Sequence, residues 1–334
     1  MAFETASISN PGGRTVNEDH CGYLEAAGAG CWVVADGLGG HGGGAAASGL
    51  AVDAVLSSFR ANPGVTPDAL RSHLVAAHRA ILQRQSEPAL SQMRSTIVVL
   101  LANAGRAISG HLGDSRLYQF RNGAVEFQTV DHSVPGALAA SGAIRNDDIR
   151  FHEDRNRVLR SLGNEDEINP AIVEVPLRPG DAFLLCTDGF WEWVTELEMQ
   201  TDAVKVASPG DWLRFMSSRL LHRAKPENDN WTAIAVFVPP NGAVTQFRGA
   251  ASAPDRRPMG IVEKVSWAAV ACLTVTLLFF LVIALYPQRL AALLTKSPRV
   301  EATRKKRGET RERTRRKETA APEKTSGKSP DKVQ

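Results

Sequence analysis

Two acidic residues each follow an apolar run of the kind that forms a buried β-strand. Cys31–Ala35 leads directly into Asp36-Gly37, and Ala182–Thr187 leads directly into Asp188-Gly189. A strand that delivers a carboxylate to its end, followed by a glycine that permits a sharp turn, would direct negative charge into a cleft. Because two bare carboxylates at close range repel each other, such a pair needs a shared proton or a cation.

Other acidic segments favour the cation. Arg14 comes five residues before Asp19, with Glu18 beside it, which places a possible phosphate clamp next to anionic ligands. Gly113–Arg116 and Asn228–Asn230 add one aspartate each. Each segment has a simpler interpretation alone, a surface ion-pair loop for the first and ordinary turns for the other two. Oxygen ligands without Cys or His select hard cations rather than zinc.

The segment Gly37–Gly42 also matches the GxGxxG pattern of dinucleotide-binding turns. Asp36 stands immediately before the first glycine, where its charge would face a pyrophosphate with nothing to neutralise it. The following helix leads into a Pro/Asn/Gly turn at Arg60–Asp68 instead of a second parallel strand that ends in an acid. The sequence therefore favours a metal site over a dinucleotide site.

Hydrophobic periodicity predicts the elements that must position these residues. Short apolar or alternating runs predict ten strands within Glu4–Val238, several of them joined by hairpin-length links such as Asn103–Arg106. Helical spacing occurs in Gly44–Phe59, in Pro67–Gln85 and around Asp211–His222. Long helices among hairpin-linked strands indicate an antiparallel α+β layer fold rather than a doubly wound sheet.

Eight segments in this order resemble the metal-dependent protein Ser/Thr phosphatases of the PP2C type. They are Arg14–Asp19, Val33–His41, Met93–Thr96, Gly113–Arg116, Asp131–Ser133, Asn156–Gly163, Cys186–Gly189 and Asp229–Thr232. Each segment is weak evidence alone, whereas eight in the family's order over residues 1–238 are specific. The resemblance implies a central antiparallel β-sandwich flanked by helix pairs, with two Mn²⁺ or Mg²⁺ ions at one edge.

The resemblance also implies a role for each candidate residue. Asp36 would bridge both ions, while Glu18 and the Gly37 carbonyl would serve the second ion. Asp114 would support a third, weaker ion, and Arg14 would hold the substrate phosphate. Three further aspartates would complete the shells directly or through water: Asp19, Asp188 and Asp229. Two such ions lower the pKa of a bridging water and neutralise the phosphoryl oxygens, so hydrolysis by a metal-bridging hydroxide is expected.

The sequence departs from the family pattern near the site. Leu38 stands where animal members carry a histidine suggested as the general acid, so water is the expected proton donor, and His41 is expected to order the loop. Arg94–Thr96 replaces the usual Gly-Thr-Thr and is expected to tighten a turn without touching a ligand. Pro135–Arg155 falls where the family keeps a mobile flap that tunes substrate choice.

Charge and cysteine content restrict the function classes. Residues 288–334 contain fifteen Lys or Arg and six Asp or Glu, a net charge of +9 against +3 for the whole chain. Residues 1–287 are therefore mildly acidic, and no nucleic-acid partner is expected. Four scattered cysteines without a CxxC pair are typical of a reduced cytosolic protein, and no amino-terminal leader is expected.

The composition predicts four regions: a PP2C-like domain in 1–240, a linker in 241–263, a transmembrane helix in 264–287 and a basic disordered tail in 288–334. As a helix, the uncharged run Val265–Tyr286 would span roughly 33 Å, enough for a hydrocarbon core of about 30 Å. A buried core helix is the alternative. The positive-inside rule places the tail in the cytoplasm, whereas the lack of an export signal keeps the catalytic domain there. A spanning anchor is favoured over a re-entrant segment.

We therefore expect a single-pass protein of the bacterial inner membrane with a cytoplasmic catalytic domain. It would hydrolyse phosphoserine and phosphothreonine on proteins and oppose a cognate Ser/Thr kinase. Two alternatives stay open: a catalytically silent phosphoprotein-binding module at the membrane, and a protein whose basic tail binds anionic lipid or nucleic acid. The complete set of candidate ligands favours the enzyme.

Overall fold

The computed structural model describes residues 3–39 and 43–239. The predicted linker, transmembrane helix and basic tail lie outside these residues, as does His41. Within the described residues, no helix combines the length and the apolar character that crossing a membrane requires.

Two antiparallel sheets form the centre of the described chain. From edge to edge, the first sheet contains β1 (Glu4–Asn10), β11 (Trp231–Phe237), β10 (Ala182–Cys186), β7 (Arg116–Arg121) and β8 (Ala124–Gln128). The second contains β2 (Asp19–Ala26), β3 (Ala29–Leu38), β5 (Ile97–Ala102), β6 (Ala107–Leu112) and β9 (Ala171–Val175), and the two-residue β4 (Arg94–Ser95) pairs with the end of β3. The pairing between neighbouring strands is antiparallel throughout.

Helices cover the outer face of each sheet. The helices are α1 (Gly43–Ala61), α2 (Pro67–Arg84), α3 (Val134–Ala140), α4 (Asp188–Trp191), α5 (Glu196–Ala203) and α6 (Pro209–Arg223), with 3-10 helices at Pro88–Leu90 and Asn146–Phe151. One apolar cluster joins α1 and α2 to the second sheet, and another joins α4, α5 and α6 to the first. A third cluster, which includes Trp32, Phe183 and Ile234, lies between the sheets. The predicted β-sandwich flanked by helix pairs is confirmed.

Burial on both faces explains why the central strands are continuous apolar runs in the sequence. Every residue of β5 is buried, because its sheet packs against helices on one side and against the other sheet on the second. Helices α2 and α6 begin at side-chain caps: the Thr66 hydroxyl accepts from the Ala69 N–H at 3.1 Å, and the Ser208 hydroxyl accepts from the Asp211 N–H at 3.1 Å. Short elements such as α4 were not predicted, because four residues are too few to display a helical period.

The two strand–Asp–Gly units differ from the sequence prediction in one respect. β3 does not end at Asp36 but continues through Leu38, because Gly37 and Leu38 pair with the residues of β4. Gly37 is therefore not a turn residue. A Cβ atom there would lie 2.1 Å from the Gly44 carbonyl oxygen, so glycine is needed for close approach to α1. Asp188 does follow its strand and begins α4.

Candidate active site

A cleft of about 630 Å³ at one end of the sandwich collects the candidate residues. Seven of them line it: Arg14, Glu18, Asp36, Gly37, Asp114, Asp188 and Asp229. The eighth, Asp19, is buried behind the cleft and is paired with Asp36 across β2 and β3. The structure therefore brings together all eight residues that the sequence singled out, although they come from positions 14 to 229 of the chain.

Asp19 has the environment of a buried ligand. The Thr187 hydroxyl donates to its Oδ2 at 2.8 Å, whereas its Oδ1 is buried and has no hydrogen-bond partner. Burial raises the pKa of Asp19 to about 7, although the hydrogen bond from Thr187 opposes the shift. Buried polar atoms in proteins are normally satisfied, so an orphaned carboxylate oxygen at this position suits a cation.

Hydrogen bonds to Ser95 and Thr96 hold the backbone of Asp36 in place. Its N–H donates to the Thr96 hydroxyl at 3.1 Å, and its carbonyl accepts from the Thr96 N–H at 2.9 Å and from the Ser95 hydroxyl at 2.8 Å. The expectation that Arg94–Thr96 would touch no ligand was wrong, because β4 runs alongside the end of β3. Burial, followed by the charges of Asp19 and Asp188, raises the pKa of Asp36 well above its usual range.

Glu18 and the Gly37 carbonyl meet over the start of α1. A Cβ atom on Gly44 would lie 2.7 Å from both Glu18 Oε1 and the Gly37 carbonyl oxygen. The absence of that atom leaves a small space that is bordered by two oxygens of different residues. The Ser48 hydroxyl, fully buried in α1, donates to the Glu18 carbonyl and fixes this loop against the helix.

The remaining aspartates approach from three other segments. Asp188 Oδ1 accepts from the Gly189 N–H at 2.6 Å, and Asp229 Oδ1 accepts from the Asn230 N–H at 2.8 Å. Asp114 follows β6 and is 2% exposed, and burial raises its pKa to about 7. Burial, followed by the charges of Asp114 and other nearby acids, raises the pKa of Asp188 well above its usual range.

The residues present fit hard divalent cations. The acids raise one another's pKa values, so each is destabilised as an anion until positive charge is supplied. Within residues 3–39 and 43–239, no three or more His, Cys, Asp or Glu side chains are grouped closely enough to hold an ion by themselves. Water and carbonyl oxygens would therefore complete each shell, as is usual for Mg²⁺.

Arg14 lies at the rim of the same cleft. Its Nη2 donates to Asp229 Oδ2 at 2.9 Å, and the two side chains are 57% and 46% exposed. An exposed ion pair of this kind contributes little to stability, so Arg14 can exchange it for another anion at low cost. The position is compatible with the predicted phosphate contact.

Two residues near the site were missed in the sequence. The Asn230 side chain accepts from the Glu18 N–H at 2.8 Å and donates to the Val16 carbonyl at 3.0 Å, so it shapes the loop that carries Arg14. Glu192 follows Asp188 by four residues and pairs with Arg155 at 3.0 Å. The i, i+4 spacing from Asp188 indicates that Glu192 lies near the site, whereas an asparagine beside an aspartate before a strand is typical of an ordinary turn.

The described part of the cleft has no histidine at the position of the family's animal-type general acid. Leu38 lines the cleft at the position in question, and among the described residues no histidine lines it. Water as the proton donor stays a prediction.

Comparisons with known proteins agree with this geometry. Residues 12–230 match the family model for Protein phosphatase 2C. The serine/threonine phosphatase Stp of Listeria welshimeri is 32% identical over 174 residues, which cover 50% of this chain and 69% of that protein. The crystal structure of the Mycobacterium tuberculosis serine/threonine phosphatase PstP is 28% identical with a TM-score of 0.64, and the match covers 72% of this chain and 100% of that one.

A structure of the catalytic domain of PstP in complex with two manganese ions is 26% identical with a TM-score of 0.62, over 71% of this chain and 98% of that one. The family matched spans more than half of the chain, and the prediction of a phosphatase enzyme is confirmed. The fold, the convergent acids and these similarities lead to one conclusion: the chain belongs to the protein phosphatase 2C family.

Proposed function

We propose that this chain is a metal-dependent phosphatase that hydrolyses phosphoserine and phosphothreonine on proteins, and thereby opposes a bacterial Ser/Thr kinase. One observation carries the proposal: acids from five separate segments converge on one cleft that also contains an exposed arginine. The relatives named above are serine/threonine phosphatases, and one of them has been solved with two manganese ions.

The proposed ligands divide into four groups by their expected role. Asp36, whose pKa is raised by the charges of four other aspartates after the effect of burial, would be shared by two ions, while Glu18 and the Gly37 carbonyl face the small space beside Gly44. Asp114 would serve the third, weaker ion. Three further aspartates would contribute to the shells directly or through water: Asp19, Asp188 and Asp229.

The residues of the chain would bind the ions and orient the substrate phosphate, and the ions would supply positive charge. When bound, two divalent cations lower the pKa of water to near neutrality and neutralise phosphoryl oxygens. Arg14 would bind the phosphate through a planar fork of N–H donors after releasing Asp229. Leu38, which lines the cleft, has no proton to give to a leaving group, so at that position water would be the donor.

The proposed location is the bacterial cytoplasmic membrane, with the catalytic domain in the cytoplasm. The support is the run Val265–Tyr286, which contains 22 residues without a charge. Fusing a reporter that is active only outside the cytosol to Gln334 tests the topology. Activity is expected for a single spanning anchor, and an inactive reporter would refute it.

The activity itself is tested by turnover of a phosphothreonine peptide with the full chain and Mn²⁺. We expect chelation to abolish turnover and Asp36→Asn to reduce it by more than about 100-fold, because loss of even an outer-shell partner of a metal costs 10- to 100-fold. Asp53→Asn, the same change on the exposed face of α1, is the matched control and should leave turnover intact.

Undiminished turnover after both chelation and Asp36→Asn would overturn the proposal. Peptide binding without turnover at every Mn²⁺ concentration would instead support the alternative of a catalytically silent binding module.

A further inference from the structure

Trp191 connects two parts of the candidate site that are far apart in sequence. It is the last residue of α4, whose first residue is Asp188, and it is 2% exposed. Its indole N–H donates to the Asp114 carbonyl with an Nε1–O distance of 3.0 Å. The Arg116 guanidinium carbon lies 3.5 Å from the centre of its ring. One side chain therefore contacts the turn that carries Asp114 at two points.

Hydrogen bonds fix the Arg116 guanidinium that stacks on the Trp191 ring. Its Nε and Nη2 donate to the two carboxylate oxygens of Asp131 at 2.9 and 2.8 Å, and its Nη1 donates to the Tyr118 hydroxyl at 3.0 Å. The guanidinium and the Asp131 carboxylate are each only 2% exposed. A planar fork bound at both ends in a buried site has one favourable arrangement, so the ring stacked on it is held in place.

A second arginine reaches Trp191 from the predicted flap segment, Pro135–Arg155. The Arg150 Nη1 donates to the Trp191 carbonyl at 2.6 Å, and its Nη2 donates to Glu196 Oε2 at 2.6 Å. Arg150 is 9% exposed although the next residue, Phe151, is 80% exposed. The guanidinium is thus an anchor that ties the flap segment to the end of α4.

We propose that Trp191 is a positioning residue, which sets the location of Asp114 through the indole hydrogen bond and is itself held by Arg116 and Arg150. The inference rests on the proposed function in one respect, the assignment of Asp114 as a ligand of the weakest ion. Backbone hydrogen bonds to a ligand residue fix its carboxylate, and such outer contacts tune metal affinity. The indole N–H is the only donor that a tryptophan side chain has, so its replacement is a clean test.

The test is Mn²⁺ titration of the full, metal-free chain by calorimetry, which does not depend on turnover. Trp191→Phe keeps an aromatic ring over Arg116 and removes the N–H donor. We expect the weakest Mn²⁺ affinity to fall roughly tenfold while the tighter binding is unchanged. Trp212→Phe is the matched control, because Trp212 is also fully buried and donates to a backbone carbonyl, that of Met199, at 3.0 Å.

Arg150→Lys gives an independent measurement if Trp191→Phe proves unstable. A lysine cannot reach both the Trp191 carbonyl and Glu196 with fork geometry, so a smaller shift in the same direction is expected. The double variant should bind no more weakly than Trp191→Phe alone, because both changes act through the same hydrogen bond.

The outcomes separate this inference from the proposed function. If Asp114→Asn removes the weakest binding but Trp191→Phe does not alter it, the positioning role is wrong and the phosphatase proposal stands. If Asp114→Asn changes no Mn²⁺ affinity, the ligand assignment fails and the inference fails with it. An equal loss in Trp212→Phe would show a general effect of core damage and would also overturn the inference.

Discussion

Two groups of acidic residues lie side by side in this fold and differ in how their charge is balanced. Asp131 is 2% exposed at its side chain, and both of its oxygens accept from Arg116. Asp19 is similarly buried, yet its Oδ1 has no partner and burial raises its pKa to about 7. The charge of Asp131 is therefore neutralised by a partner within the protein, whereas Asp19 has one carboxylate oxygen without a partner.

The contrast is sharpest around Arg116, which follows Asp114 by two residues. Burial and then the charge of Asp131 raise the pKa of Asp114, and the charge of Arg116, whose guanidinium is bound to Asp131, opposes this shift with a smaller effect than burial. A basic residue is therefore available in the sequence but is committed to the structural pair. Among the described residues, Asp229 pairs with Arg14, whereas Asp19, Asp36, Asp114 and Asp188 form no salt bridge, in keeping with a site that takes most of its positive charge from outside.

The largest expected effect comes from breaking the compensated pair. Asp131→Ala would leave the buried Arg116 guanidinium without the carboxylate that binds it at two points, with only Glu196 at 3.4 Å as an acidic partner, and the loss of a buried partner destabilises proteins by about 3–5 kcal/mol. We expect a decrease of that size in the free energy of unfolding, measured by urea denaturation. Asp202→Ala is the comparison, because Asp202 is equally buried but its partner Arg219 is 33% exposed and can be solvated.

Comparing the losses in the free energy of unfolding of the two variants tests whether the burial of Arg116 causes the cost. Equal losses in Asp131→Ala and Asp202→Ala would show that the burial of Arg116 is not the source of the cost. A loss below about 1 kcal/mol in Asp131→Ala, the value of an exposed pair, would contradict the description of this pair as a completed buried charge.

The uncompensated acids should make the metal-free protein sensitive to pH. The folded-state pKa of Asp19 is about 7 against a usual 3.8, so the folded state holds a proton that the unfolded state releases between these values. Its stability contribution is present below about pH 4 and is lost as the pH rises through 7. One such group changes the free energy of unfolding by up to a few kcal/mol.

Thermal unfolding with a chelator and with saturating Mn²⁺ measures this effect. We expect the metal-free protein to melt at a lower temperature at pH 8 than at pH 5.5, and Mn²⁺ to raise the melting temperature more at the higher pH, since binding displaces the protons. Asp19→Asn should reduce the pH dependence of the metal-free form. Because burial lowers the pKa of His132 to about 4, that residue acts in the opposite direction in both proteins, so an Asp19→Asn variant with the same pH dependence as the parent chain would refute the account.

The same contrast explains which features could be predicted from the sequence. The acids stand beside apolar runs or glycines in short ordered motifs, so their convergence and the layered fold could be predicted. The contacts of Trp191, Arg150 and Glu196 could not, because they join segments without a shared spacing. The course of β3 beyond Asp36 depends on β4, a two-residue strand that leaves no periodicity.

The smallest expected effect concerns the support of Asp36 by β4. Ser95→Ala removes the hydroxyl that donates to the Asp36 carbonyl at 2.8 Å, while the Thr96 N–H keeps its own bond to that oxygen at 2.9 Å. A hydrogen bond of this kind contributes about 0.5–1.5 kcal/mol. We therefore expect turnover to fall by no more than about tenfold, with Mn²⁺ affinity reduced to a similar degree. The Asp36 carbonyl keeps one donor, so this oxygen is not left unsatisfied.

Ser72→Ala is the matched control for this change. The Ser72 hydroxyl also donates to a backbone carbonyl, that of Asp68 at 2.8 Å, but it lies on the exposed side of α2. If both variants lose the same small amount of turnover, the hydroxyl of Ser95 has no special relation to Asp36. A loss confined to Ser95→Ala would show that the Asp36 backbone must be held in place, because among the described residues no basic side chain forms a salt bridge with its carboxylate.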